Sequence, residues 1–106
     1  MNIKVLLYKK GLIDPETVET DATMFNELVG GAPRMKELVG GLCFKWSDSP
    51  REKSVRNVFL PVYNNSRVEV VPMRVESNYL ICGFCDGVYC DYPEDMKGEL
   101  KSIFGF

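Results

Sequence analysis

Apolar and polar positions alternate, or apolar ones cluster in short runs, along most of this chain. Helical spacing shows only between residues 21 and 41 and near the C-terminus. Ile3 to Lys9 reads as a first strand, β-branched and apolar enough to lie centrally, and Lys10-Gly11 turns the chain. Thr17-Val18-Glu19 predicts a second strand after Asp14-Pro15. Asp21 suits the N-cap of a helix, because its carboxylate can accept from the free N–H groups of the first turn. Phe25, Leu28 and Val29 fall on one stripe of that helix, and Gly30 is placed as the left-handed residue beyond its end.

Phe25-Asn26-Glu27-Leu28-Val29-Gly30-Gly31 recurs ten residues on as Met35-Lys36-Glu37-Leu38-Val39-Gly40-Gly41. The repeat predicts a second short helix opened by Pro33, with Met35, Leu38 and Val39 on its stripe and Gly40-Gly41 as its stop. The same residues fit a strand from Arg34 to Val39, so the pattern leaves helix or strand over 32–39 open. Leu42 to Trp46 follows as a strand with Leu42, Phe44 and Trp46 on one face, and 47–54 is a polar loop.

Val55 to Tyr63 places Val58, Leu60 and Val62 on one face; Pro61 removes a ladder donor and suggests an edge. Asn64-Asn65-Ser66 is a hairpin turn. Arg67 to Val75 returns with Val68 and Val70 on one parity, then Val71, Met73 and Val75 on the other, so Pro72 predicts a bulge or an edge. Tyr79 to Phe84 is the most apolar strand and should be central. Pro93 opens a last helix whose stripe is Met96, Leu100, Ile103 and Phe104. Together these elements predict a single α+β domain over 1–106. Its sheet is mostly antiparallel, with one or two short helices after the first strands and an amphipathic C-terminal helix packed on one face.

Composition narrows the function more than the fold. No apolar run approaches the roughly 18 residues of a membrane span. The N-terminus reaches charge too soon for a secretory signal, so a soluble cytoplasmic protein is expected, with no membrane partner. There is no histidine, which removes the commonest general base and every Ser-His or Cys-His nucleophile pair. No motif fixes an acid and a base together, and the expectation is a protein that is not an enzyme.

Four cysteines are the strongest chemical suggestion. Cys82-Gly83-Phe84-Cys85 has C-x-x-C spacing, with Cys90 shortly after and Cys43 far upstream; four thiolates would make a structural zinc site. A zinc ribbon presents two such knuckles and only one is present, so buried thiols without a cofactor are the preferred reading. Asp86-Gly87 behind Cys85 is a turn and not a helix start, which disfavours a thioredoxin-like motif. Gly30-Gly31-Ala32-Pro33 lacks the spacing of a phosphate loop, and capping explains both glycine pairs.

Charge is uneven although the net is −2. Residues 32–75 carry 8 basic and 4 acidic side chains, against 3 and 5 before them and 2 and 6 after. A basic section over 34–74 could therefore contact nucleic acid or a protein partner. Arg34, Lys45, Trp46, Arg51, Lys53, Arg56 and Arg67 are the candidate contacts, and Trp46 or Tyr63 could stack on bases.

Three pieces also occur in a suggestive order: the Ile3-Lys4-Val5-Leu6-Leu7 strand, Glu27-Leu28-Val29-Gly30-Gly31 after an Asp-capped helix, and Tyr79-Leu80-Ile81-Cys82-Gly83-Phe84 leading to Tyr92-Pro93-Glu94. Together they resemble an uncharacterised family of small proteins carried on bacterial phages, plasmids and conjugative elements. In that family Val-Gly-Gly occurs once and a strand follows it directly; here it occurs twice. The resemblance implies a mobile-element context and carries over no activity or catalytic residues. The leading expectation is a non-enzymatic accessory protein acting through a protein partner, with the edge near Pro61 and the loop 47–54 as contact regions. Nucleic-acid binding through 34–74 and a zinc-stabilised domain are the alternatives.

Overall fold

The computed structural model describes residues 2–12, 14–96, 98 and 100. Its strands are β1 (Asn2–Tyr8), β2 (Glu16–Asp21), β3 (Pro33–Leu38), β4 (Leu42–Ser47), β5 (Arg56–Asn64), β6 (Arg67–Val75), β7 (Tyr79–Cys85) and β8 (Val88–Cys90), with one short helix, α1 (Phe25–Val29), between β2 and β3. The main sheet runs β2-β1-β7-β4-β3, and β8 pairs with the second half of β7. β5 and β6 form a separate two-stranded hairpin, and every pairing is antiparallel. As its composition predicts, β7 is central: β4 lies on one side, β1 and then β8 on the other.

Period-two alternation sorts the core onto the two faces of this sheet. Leu6, Tyr8, Leu42, Phe44, Trp46, Tyr79 and Ile81 point to one face, where Val58, Leu60 and Val62 of β5 cover them. Ile3, Val5, Leu7, Cys43, Leu80 and Cys82 point to the other, where Phe25 and Val29 of α1 close it. The result is three layers: helix and hairpin are each buried through one side, and the sheet between them through both.

Asp21 caps the entry to α1 as its position predicts: its carboxylate accepts from the Thr23 N–H at 2.9 Å, and a single 3-10 turn, Ala22–Met24, precedes the helix. The Thr23 N–H is the leading reason that the Asp21 carboxyl is held down at about 2. Gly30 ends the helix at φ 81°, its N–H reaching back to Asn26 O. Gly31 serves a different need, since a Cβ there would lie 2.7 Å from Ser47 Oγ and 2.8 Å from Ser49 O.

The second copy of the repeat corrects the expectation of a second helix. Pro33–Leu38 is a strand paired along its whole length with β4, from Pro33 opposite Ser47 to Leu38 opposite Leu42. A six-residue helix would carry the full cost of nucleation for very few hydrogen bonds, whereas β4 offers a ready ladder. Gly40 and Gly41, at φ 80° and 71°, then make the hairpin loop.

Pro72 produces no bulge. The β5–β6 register is unbroken from Arg56 opposite Val75 to Asn64 opposite Arg67, and β6 is the edge. β8 has no counterpart in the sequence-based reading, which placed no element between the Asp86-Gly87 turn and Pro93. That turn, with φ of 52° and 77°, joins β7 to β8 as a two-residue hairpin. The C-terminal helix expected from Pro93 lies largely outside the described residues; within them, Glu94–Met96 is a 3-10 turn and Leu100 is buried.

Tyr79 anchors the centre of the hairpin-side core, stacked on Tyr8 at 5.1 Å. Its hydroxyl is buried without a hydrogen-bond partner among the described residues, and burial pushes its pKa up. An unmade hydrogen bond of this kind costs about 1–3 kcal/mol. Tyr79→Phe is therefore expected to raise the unfolding free energy by about 1 kcal/mol, read from urea denaturation. A loss of comparable size would mean that the hydroxyl has a partner in solution.

Candidate functional site

The hairpin leaves one of its faces exposed, for a reason visible in its register. Residues opposite one another in an antiparallel pair share a face. Val58 with Met73 and Leu60 with Val71 therefore point toward the sheet, while Phe59 with Pro72, Pro61 with Val70 and Tyr63 with Val68 point away from it. From Phe59 and Pro72 to Tyr63 and Val68 this outer face is apolar, and Asn57 with Arg74 ends it. Phe59, Tyr63, Val68 and Val70 are 45%, 66%, 58% and 58% exposed, although only Pro61 among its central residues is buried.

The free edge of β6 is less useful to a partner than its face. Asn65 and Ser66, at φ 50° and 67°, make a two-residue turn, so Asn64 and Arg67 form a hydrogen-bonded pair and the pattern alternates from there. The N–H groups of residues 68, 70 and 74 then point off the ladder, and Pro72 has none to offer at the position between. A proline on an open edge blunts strand addition. On the other edge, Pro61 O accepts from Val39 N at 2.9 Å. Beyond that bond β3 and β5 separate, leaving a cleft of about 420 Å³ lined by Met35, Lys36, Glu37, Leu38, Val62 and Tyr63.

The basic candidates are dispersed. Arg34 pairs with Asp48, whose carboxyl is held low chiefly by that bond, and its guanidinium lies 5.8 Å from the Trp46 ring centre. Trp46 donates its Nε1–H to Asp48 at 3.1 Å and is 7% exposed, so its ring face is not available for stacking. Lys53 and Arg74 both reach Glu76, at 3.2 and 3.5 Å. Lys45 is buried on the helix side of the sheet, and Arg56 lies 4.4 Å from the centre of the Tyr8 ring. Arg51 and Arg67 are exposed in different places, one in the 48–55 loop and one at the hairpin turn. Tyr63, the other stacking candidate, is open on the hairpin face. The loop itself is pinned, since Arg51 N donates to Gly30 O at 2.9 Å and Ser54 N to Glu76 O at 3.0 Å.

The cysteines form two pairs, not one set of four. Cys43 and Cys82 face each other across β4 and β7, both fully buried, and the Cys82 thiol is pushed up by its hydrogen bond to Cys43 and by burial. Cys85 and Cys90 meet at the β7–β8 hairpin with sulfurs 3.5 Å apart. No group of three or more Cys, Asp or Glu side chains among the described residues is placed to share a metal ion. Zinc held by Cys43, Cys82, Cys85 and Cys90 together is not the arrangement these strands make. No helix among the described residues is long and apolar enough to cross a membrane.

Comparison with protein-family models, curated proteins and solved structures finds no match to this chain. The site residues that sequence reasoning missed are Phe59, Val68 and Val70. A signal was present: apolar residues occupy both parities of β5 and β6, more than one buried face can use.

Proposed function

We propose that this protein is a non-enzymatic binding module that holds a protein partner on the outer face of the β5–β6 hairpin. The observation that carries the reading is the cross-strand row Phe59, Tyr63, Val68 and Val70, exposed although each is apolar and none serves the core. A contiguous apolar patch with charged residues at its margin is the surface expected of a contact site. Here Arg74, opposite Asn57 on the same face, supplies that margin. The paired Arg34, Lys53 and Arg74 and the buried Trp46 give less support to nucleic-acid binding. An accessory role on a mobile element belongs to the same reading and rests on the resemblance at the two ends of the chain.

A photo-crosslinking residue placed at Tyr63 tests this in cells that naturally carry the protein, with Glu19 on exposed β2 as the control position. The expected result is a discrete crosslinked protein from Tyr63 and none from Glu19. Adding Val70→Lys should cut the yield about tenfold or more, since one central contact in an interface is worth about 2 kcal/mol. Equal labelling from both positions would sink the proposal.

A further inference from the structure

Three residues along a strand reverse the side-chain direction, so the C-x-x-C spacing of Cys82 and Cys85 separates its thiols onto opposite faces of β7. Cys82 turns to Cys43. Cys85 instead meets Cys90, because the Asp86-Gly87 turn folds β8 back and places Cys90 opposite Gly83, on the same face as Cys85. The Cys90 thiol donates to Cys85 Sγ at 3.5 Å. Gly83 makes this approach available: a Cβ there would stand 2.6 Å from Cys90 Sγ. Access differs sharply between the two pairs. Cys43 and Cys82 are 0% exposed, while Cys85 is exposed and Cys90 lines a hollow of about 360 Å³ with Asn2, Ile3 and Asp91.

The geometry points to Cys85 and Cys90 as a reversible dithiol–disulfide site, oxidised by small-molecule disulfides that reach the β7–β8 hairpin. Cys85, the exposed sulfur, loses its proton and attacks one sulfur of the incoming disulfide; that S–S bond breaks, and one small thiolate leaves. Cys90 then loses its proton and attacks Cys85 Sγ, expelling the second small thiolate. Two protein thiols are oxidised to one disulfide, and one small disulfide is reduced to two thiols. The protein sulfurs close by about 1.5 Å to reach bonding distance, across a diagonal of the hairpin. β8 is three residues long and its strand pairing is with β7 alone, so the adjustment falls on one short hairpin. Cys43 and Cys82 are a control within the same chain, paired across strands but sealed by the core.

The test treats the folded full chain with glutathione disulfide and reads intact mass. The expected product lacks two hydrogens and carries no adduct. Cleavage before Asp86 leaves its two flanking fragments joined until reductant is added, with fragment sequencing placing the link at Cys85 and not Cys82. Cys90→Ser is expected to retain one glutathione on Cys85, because the resolving sulfur is gone. A wild-type chain that stays reduced, that accumulates the adduct on Cys85, or that links Cys43 to Cys82 first would overturn the assignment.

Discussion

Phe44→Ala is expected to lower the unfolding free energy by about 3–5 kcal/mol, the range for emptying a large buried aromatic site. Phe44 lies in the middle of β4 and is fully buried, with its ring 5.1 Å from Tyr79 and 5.5 Å from Trp46. It pairs with Ile81 on one side and Lys36 on the other, so backbone ladders hold both flanks and the site cannot readily collapse. Total stability of a domain this size is about 5–15 kcal/mol, and the variant would sit near the limit of folding. Trp46, the only tryptophan, reports the transition by fluorescence in urea. Phe59→Ala is the matched comparison. That ring is on the outer hairpin face and 45% exposed, so its loss should cost no more than about 1 kcal/mol. If the two variants are equally destabilised, the assignment of inner and outer hairpin faces is wrong.

The repeated Glu-Leu-Val-Gly-Gly shows where a sequence reading reaches its limit. Glu27-Leu28-Val29-Gly30-Gly31 ends a helix, while Glu37-Leu38-Val39-Gly40-Gly41 ends a strand and turns a hairpin. Five identical residues cannot distinguish these outcomes, because the deciding partner of the second copy is β4, and strand pairing is not encoded within the segment. Features with local causes were readable: the Asp21 cap, the Gly30 terminus, the Asn65-Ser66 turn and the alternation of Leu42, Phe44 and Trp46. The candidate site was less so. Arg34, Lys45, Trp46, Lys53 and Arg56 were singled out by residue type, yet burial, ion pairing and ring contacts occupy most of them. The hairpin face was hidden because a valine row reads the same whether a sheet covers it or not.

Lys45 carries the second large expected effect, and it follows from where the sheet puts a charge. Every residue of β4 is buried, and Lys45 is 8% exposed on the helix side, directly beyond Cys43. Its Nζ lies 4.6 Å from the centre of the Tyr89 ring and 5.4 Å from that of Phe25, so two negative ring faces hold the ammonium and tie β8 to α1. A carboxylate in the same place would meet those faces with the wrong sign and little water. Lys45→Glu is therefore expected to cost about 3 kcal/mol or more at pH 7, as for an uncompensated buried charge. Lys45→Met, which keeps the volume and removes the charge, should stay within about 1.5 kcal/mol. The pH dependence fixes the cause. Burial raises the carboxyl pKa of the Lys45→Glu chain in the folded state, so its penalty is full above that raised value. It fades as pH falls toward the unfolded value of about 4.3, where both states hold the proton. Urea unfolding at pH 7 and at pH 4 should show the gap between Lys45→Glu and Lys45→Met narrowing at the lower pH. A gap that is absent at pH 7, or that does not narrow, would place Lys45 in solvent and return it to the set of surface contacts.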